Sequence, residues 1–377
     1  VAKIARIPIT NVYANGDYTG RILVGPEEQP MNVILDTGSS ALALDGKKYH
    51  PSLSSGDQST KLAQTTAYDD GSSWTGAVIK TGISIGDGKA CLLLNDANAA
   101  IAYLSKDMFD SCDGILGLAY AYLDDAFTMP EDTWAHKYLE TQVRTGRHGQ
   151  LKPYLTQLAE EGVTSDKMAF LTRRSLIHVG GGANDPLNQG WMIVGGGEEC
   201  TDLYTGGFKT VKVLSDKWYN TNLKAIIVGN GDPIAGRMEG PKGSSSNSIV
   251  DSGTASLEVS KQMFRALLSK LTPAQQELLT KSVLDDKPVA NSALDLPNWP
   301  TLTFVLQGED GDVSLQVAPN NYWQVNTDKA GSAAAAITEG SAGFTTLGLP
   351  LMNGYFTIFD GEADGGRGVI KFATRAA

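Results

Sequence analysis

The chain writes one short pattern twice. Asn32 to Leu44 reads NVILDTGSSALAL and Asn247 to Val259 reads NSIVDSGTASLEV, each centring on an aspartate followed by a hydroxyl residue and a glycine. In each copy apolar residues lead into the acid, Ile34-Leu35 before Asp36 and Ile249-Val250 before Asp251, as in a buried strand ending at a carboxyl. Gly38 and Gly253 follow two positions later, where a chain turns sharply and lets another backbone or a ligand approach. A carboxyl delivered into apolar surroundings needs hydrogen-bond donors; Thr37 and Ser39 supply them in the first copy, Ser252 and Thr254 in the second. If a pseudo-twofold axis relates the copies, Asp36 and Asp251 meet at it. Two carboxyls that close share one proton and titrate as a unit. One member then takes a proton from a bound water as it attacks a carbonyl carbon, while the other protonates the carbonyl oxygen.

Positioning such a pair asks for two similar halves. A chain of 377 residues exceeds the size at which one core stops growing, so two packed units are expected. Glycine runs at 180–182 and 195–197 mark the seam, giving lobes 1–190 and 191–377. The duplication has a second instalment: Ile115-Leu116-Gly117-Leu118 follows the first acid, and Thr346-Leu347-Gly348-Leu349 follows the second at a similar spacing. Short strands punctuated by Gly, Asn and Asp dominate, among them 20–25, 77–85, 191–194 and 302–306, so the expected fold is all-β. Helical spacing is confined to Leu151, Tyr154, Leu155 and Leu158, to Phe264, Leu267, Leu268 and Leu271, and to a helix opened by Thr272 with Pro273 and Gln275. The polar segment 123–149 reads as a surface insertion with some helix.

Other classes lose ground on composition and context. A net charge of −11 and only scattered basic pairs such as Arg173-Arg174 argue against a nucleic-acid partner, and no apolar run suits membrane insertion. Gly82-Ile83-Ser84-Ile85-Gly86 fits the formula of a serine-hydrolase elbow, but Asp87-Gly88-Lys89 reads as a turn where a helix is needed. His50, His136, His148 and His178 show no paired ligand spacing, so neither a metal nor another cofactor is expected. Gly229-Asn230-Gly231 reads as a hairpin turn. Cys91, Cys112 and Cys200 allow at most one internal disulfide, and the chain has no Asn-x-Ser/Thr sequon. At Val1 there is no charged head and apolar core, so a leader is expected to have been removed or never to have existed.

Taken together, these residues resemble the pepsin-like aspartic proteases. Asp36-Thr37-Gly38-Ser39-Ser40 and Asp251-Ser252-Gly253-Thr254 match the two active-site signatures, Asp113 to Leu118 matches the segment after the first lobe's flap, and Phe356 to Asp360 matches the end. Tyr68-Asp69-Asp70-Gly71-Ser72-Ser73 resembles the flap hairpin that closes over substrate. The resemblance implies a bilobal fold of two β-barrel-like lobes around a central cleft, with Asp36 and Asp251 as the catalytic pair. It implies that Thr37 and Ser252 lock the loops through reciprocal backbone hydrogen bonds and that Ser39 and Thr254 bond the outer carboxylate oxygens. It further implies that Gly38 and Gly253 leave room for substrate backbone. Tyr68, Asp70, Gly71 and Ser72 then contact substrate from the flap, Ile115 lines the pocket before the scissile bond, and Trp218 is a candidate for the pocket beyond it.

The chain also departs from the pattern. Family members commonly place a Trp a few residues after the first signature, bonded to the flap Tyr, whereas this chain has Ala41-Leu42-Ala43-Leu44-Asp45 and offers Trp74 as the compensating indole. Asp69 replaces the usual Gly beside the flap Tyr, the late pattern reads Leu347-Gly348-Leu349-Pro350-Leu351, and the usual disulfides are absent. These features fit a divergent, bacterial or fungal, branch. Ile7-Pro8-Ile9-Thr10 leads directly into Tyr18-Thr19-Gly20, as in mature enzymes without a pro-segment. The expectation is a monomeric, acid-favoured endopeptidase that cuts polypeptides between apolar residues; the alternative is an inactive homologue that binds peptide or protein in the cleft. An extracytoplasmic setting is implied, with a bacterial cytoplasm left open.

Overall fold

The structure is a computed structural model that describes residues 2–68, 70–86, 88–109, 111–129, 146–237, 246–285 and 287–376. Asp69, Asp87, His136 and most of the glycine-serine stretch 243–246 lie outside these residues.

Each acid ends a strand wedged into the same arrangement. Gln29–Asp36 runs parallel to Gly114–Gly117 with Leu35 opposite Leu116, and Leu42–Asp45 runs antiparallel to that same strand with Leu42 also opposite Leu116. In the second half Ser248–Val250 runs parallel to Thr345–Leu347 with Val250 opposite Leu347, and Leu257–Val259 runs antiparallel with Leu257 opposite Leu347. The strand after the acid then gains a parallel neighbour in both halves, Leu92–Lys106 in one and Ile337–Glu339 in the other. The duplicated sequence is therefore a duplicated register, pinned at the Leu-Gly pair. Glycine is required there because a Cβ on Gly117 would lie 2.4 Å from the Ser40 carbonyl carbon, and one on Gly348 would lie 2.2 Å from the Ser256 oxygen.

The halves join through antiparallel strands in the order Ala5–Thr10, Gln189–Val194, Lys167–Leu171, Tyr355–Asp360, Val369–Arg375 and Tyr204–Lys212. Lys167–Leu171 from the first half meets Tyr355–Asp360 from the second at the centre. Alternation places these strands: Ala5, Ile7 and Ile9 are buried while Arg6 and Pro8 are exposed. The fold is all-β and bilobal with a few short helices. A division at residue 190 falls inside Gln189–Val194, which stays in register with Ala5–Thr10 and Lys167–Leu171.

The helices form where the spacing predicts. Tyr154–Glu160 buries Tyr154, Leu155 and Leu158, and Lys261–Ser269 buries Met263, Phe264 and Leu267. Pro273–Val283 carries the capping box, with the Gln275 amide donating to Thr272 Oγ1 and the Thr272 amide donating to Gln275 Oε1 at 3.1 Å. Segment 123–149 differs from its reading: beyond the single turn Ala121–Leu123, its described flanks Asp125–Thr128 and Gly146–Gln150 are paired strands added to the edge strand Gln58–Ala67. An exposed edge supplies the pairing partner, which local composition does not reveal. Residues 130–145 lie outside the described part. Ser84 sits in the strand Ser73–Ile85, the turn at 229–231 joins the antiparallel strands Leu223–Val228 and Ile234–Ala235, and all three cysteines are free thiols. No described helix is long and apolar enough to cross a membrane.

Candidate active site

The strand ends bring Thr37 and Ser252 against each other. The Thr37 amide donates to Ser252 Oγ at 3.1 Å and the Ser252 amide donates to Thr37 Oγ1 at 2.8 Å. Each hydroxyl in turn donates to the carbonyl of the residue before the opposite acid, Thr37 Oγ1 to Val250 O at 3.2 Å and Ser252 Oγ to Leu35 O at 2.7 Å. Both side chains are fully buried, so every bond of this grip is shielded from water and costly to break.

The carboxyls are wired alike. Asp36 Oδ1 accepts from the Gly38 amide at 2.7 Å and Oδ2 from Ser39 Oγ; Asp251 Oδ1 accepts from the Gly253 amide at 2.8 Å and Oδ2 from Thr254 Oγ1 at 2.8 Å. The hydroxyl donors match the expected ones, whereas the amide donors were not anticipated. The glycines are points of close approach: a Cβ on Gly38 would stand 2.5 Å from Asp251 Oδ2, and one on Gly253 would stand 2.3 Å from Asp36 Oδ1, so each lets the opposite carboxyl come near.

Asp36 and Asp251 are 5% and 8% exposed, which makes the ionised form of either expensive. Burial raises the pKa of both; for Asp36 the charge of Asp251 raises it further, against the hydrogen bonds from Ser39 and Gly38. The two lose their protons as a pair, and the state with one proton extends above the ordinary carboxylate range. Such a pair offers an acid and a base side by side.

Above the first loop stands the hairpin formed by Gln58–Ala67 and Ser73–Ile85, whose last strand pair is Ala67 with Ser73. Its tip closes as the Tyr68 amide donates to Ser72 O at 2.9 Å and the Ser72 amide donates to Asp70 Oδ1 at 2.8 Å. Gly71 N donates to Tyr68 O at 3.0 Å. Asp70 and Gly71 are exposed, and Ser72 is buried. Trp74 Nε1 donates to Tyr68 OH at 3.2 Å, so the indole that the sequence offers as compensation does bond the hairpin tyrosine. Trp74 is 1% exposed and packs among Ala41, Ala43, Ala100, Ala102 and Ile115, so the alanines after the first signature make room for the displaced indole. Burial, followed by the charge of Asp36, raises the Tyr68 pKa and keeps its hydroxyl protonated. Ile115 lies opposite Ile34 and in the same apolar cluster as Tyr68.

Trp218 is half-buried with Lys217 Nζ 4.1 Å above its ring, and its amide donates to Asn220 Oδ1 at 2.9 Å. It flanks the strand Asn220–Thr221, the antiparallel neighbour of Ser248–Val250 that carries Asp251. One residue escaped the sequence reading altogether: Asp17, a half-buried acid acted on by the charges of Asp36, Asp251 and Asp70. A lone Asp before Tyr18 carries no local signal of this; the strand register alone brings it to the site.

Comparison with known proteins agrees with this geometry. A family model described as eukaryotic aspartyl protease matches residues 17–143 and 183–372. Gastricsin of Callithrix jacchus is 24% identical over 97% of this chain and 83% of its own length. Pepsin B of Canis lupus familiaris is 25% identical over 96% and 83%, and the beta-secretase of Strongylocentrotus purpuratus is 24% identical over 90% and 63%. Because the model takes in both acid loops and most of the sequence around them, the chain belongs to the eukaryotic aspartyl protease family.

Proposed function

We propose that the protein is an aspartic endopeptidase, favoured in acid, that hydrolyses peptide bonds with Asp36 and Asp251. The observation that carries this reading is the matched wiring of the two carboxyls, each given one amide and one hydroxyl donor and each abutting the opposite loop's glycine. In the singly protonated pair, the ionised acid removes a proton from water as the water oxygen bonds to the peptide carbonyl carbon. The protonated acid gives its proton to the carbonyl oxygen. The resulting diol then loses a hydroxyl proton back to the acid that had just given one, the carbonyl re-forms, and the C–N bond breaks as the other acid protonates nitrogen. The pair ends in its starting state, with no covalent intermediate and no metal or cofactor in the reaction.

The substrate lies extended between lobes 1–190 and 191–377 of a monomer. Tyr68, Asp70, Gly71 and Ser72 cover it, Ile115 receives an apolar side chain before the cut, and Trp218 serves the far side. Supporting residues Thr37, Ser39, Ser252 and Thr254 hold the acids, and Gly38 and Gly253 let the loops meet.

Digestion of an unfolded protein from about pH 3 to 7, with and without pepstatin, tests the reading, the range bracketing carboxylate titration. Acid-favoured, pepstatin-blocked cutting between apolar residues is expected. Tight peptide binding without any cutting by the folded protein would favour a binding-only cleft instead.

A further inference from the structure

Asp17 places a third acid near the pair. It precedes the strand Thr19–Val24, which pairs antiparallel with Gln29–Asp36 so that Thr19 faces Ile34. The Leu35 amide donates to Tyr18 O at 3.0 Å, carrying the pairing past the strand's end. One further step sets Asp17 opposite Asp36. Directly opposed residues of an antiparallel pair have side chains on one face, about 5 Å apart. The turn before it is fixed by the Asp17 amide on Ala14 O at 3.0 Å and the Gly16 amide on Asn11 O at 3.2 Å.

Asp17 is half-buried, and its Oδ1 is shielded from water without a hydrogen-bond partner. Burying a polar atom without a partner costs free energy that a bound donor recovers. The charges acting on it come from every side of the cleft: Asp36 on the neighbouring strand, Asp251 on the second loop and Asp70 on the hairpin tip, all of its own sign. Ala14, three residues before, packs in the cluster of Ile115 and Tyr68, so an apolar wall adjoins the acid. Apolar surface beside clustered negative charge suits a long aliphatic stem tipped with a cation.

Building on the endopeptidase reading, we propose that Asp17 provides a subsite for a cationic side chain, making peptides with a Lys or Arg near the apolar residue at the cut the preferred substrates. Before a cation arrives, burial and then the charges of Asp36, Asp251 and Asp70 favour the protonated form of Asp17. An arriving cation favours the ionised form, so binding it releases a proton and the preference for it grows as pH rises.

The test uses an octapeptide of Leu, Phe and Ala whose central amide is replaced by an uncleavable hydroxyethylene, together with variants carrying one Lys at each position in turn. Dissociation constants are measured calorimetrically at about pH 4 and pH 6.5, the higher value easing loss of the Asp17 proton to an arriving cation. At one position Lys is expected to tighten binding about tenfold at the higher pH, and less at the lower, as for a partly desolvated ion pair. Asp17→Asn should erase that preference and Asp17→Glu should retain part of it. A preference that survives Asp17→Asn, no Lys preference at any position, or failure of every peptide to bind would overturn the proposal. Because binding is read without turnover, a lost catalytic activity alongside an intact Lys preference would count against the endopeptidase reading alone.

Discussion

The positions facing the two acids are equivalent in the fold and unlike in chemistry. The Leu35 amide bonds Tyr18 O at 3.0 Å, and the Val250 amide bonds Tyr219 O at 3.2 Å, so Tyr18 and Tyr219 correspond. One position earlier, continuing the register puts Asp17 opposite Asp36 in the first half and Trp218 opposite Asp251 in the second. The loops between them obey the twofold relation bond for bond, while the flanks abandon it. After Leu42–Asp45 the first half raises the Tyr68 hairpin; after Leu257–Val259 the second half turns into the helices Lys261–Ser269 and Pro273–Val283. Exchange of one proton between two like groups calls for symmetry. A peptide has direction, so the groups that read it must differ from one side to the other.

Among the described residues, the acids whose pKa is raised are also unevenly shared. Asp17, Asp36, Asp124 and Asp166 in the first half have raised pKa values, against Asp251 in the second. Burial pushes Asp124 up to about 7 from its ordinary 3.8, against a hydrogen bond from Gln64. The unfolded chain ionises first as pH rises, so this stabilising contribution is complete below about pH 4 and drains away up to about pH 7, on the order of 4 kcal/mol at most. Thermal unfolding from pH 4 to 8 should show falling stability, with Asp124→Asn flattening the fall and hydrogen exchange rising first in the first half. A loss shared equally by both halves would break the contrast.

Gly38→Ala and Gly253→Ala should each cut kcat about 100-fold, since either new methyl displaces the opposite carboxyl. Tolerance of one and not the other would show that the loops are not functional equivalents. Removing the grip with Thr37→Val or Ser252→Ala should cost about 2 kcal/mol each in urea unfolding, and the double variant should cost less than their sum. Trp74→Phe keeps the ring in its cluster but drops the bond to Tyr68. A fall of about fivefold in kcat/KM with little change in stability is expected, as for one lost hydrogen bond.

What was legible in the sequence follows the range of the forces involved. The acid loops are short and carry their own donors, so Asp36 with Ser39 and Asp251 with Thr254 can be read locally; the Thr272 cap is equally local. The glycines were read correctly as points of close approach, but their neighbour lies across the axis, where no local pattern reaches. Asp17 and Trp218 gain their relation through strand register, and Asp125–Thr128 becomes a strand through an edge supplied by Gln58–Ala67. The join of Lys167–Leu171 to Tyr355–Asp360 is likewise a distant pairing that alternation permits but does not specify.

The most direct test of the central claim compares the pH–rate profile of the wild type on one apolar peptide with those of Asp36→Asn and Asp251→Asn, with thermal unfolding as a check on the fold. A pair that shares one proton predicts a bell for the wild type and loss of turnover in both folded variants. Substantial cleavage by either folded variant would contradict a machine made of two interdependent acids.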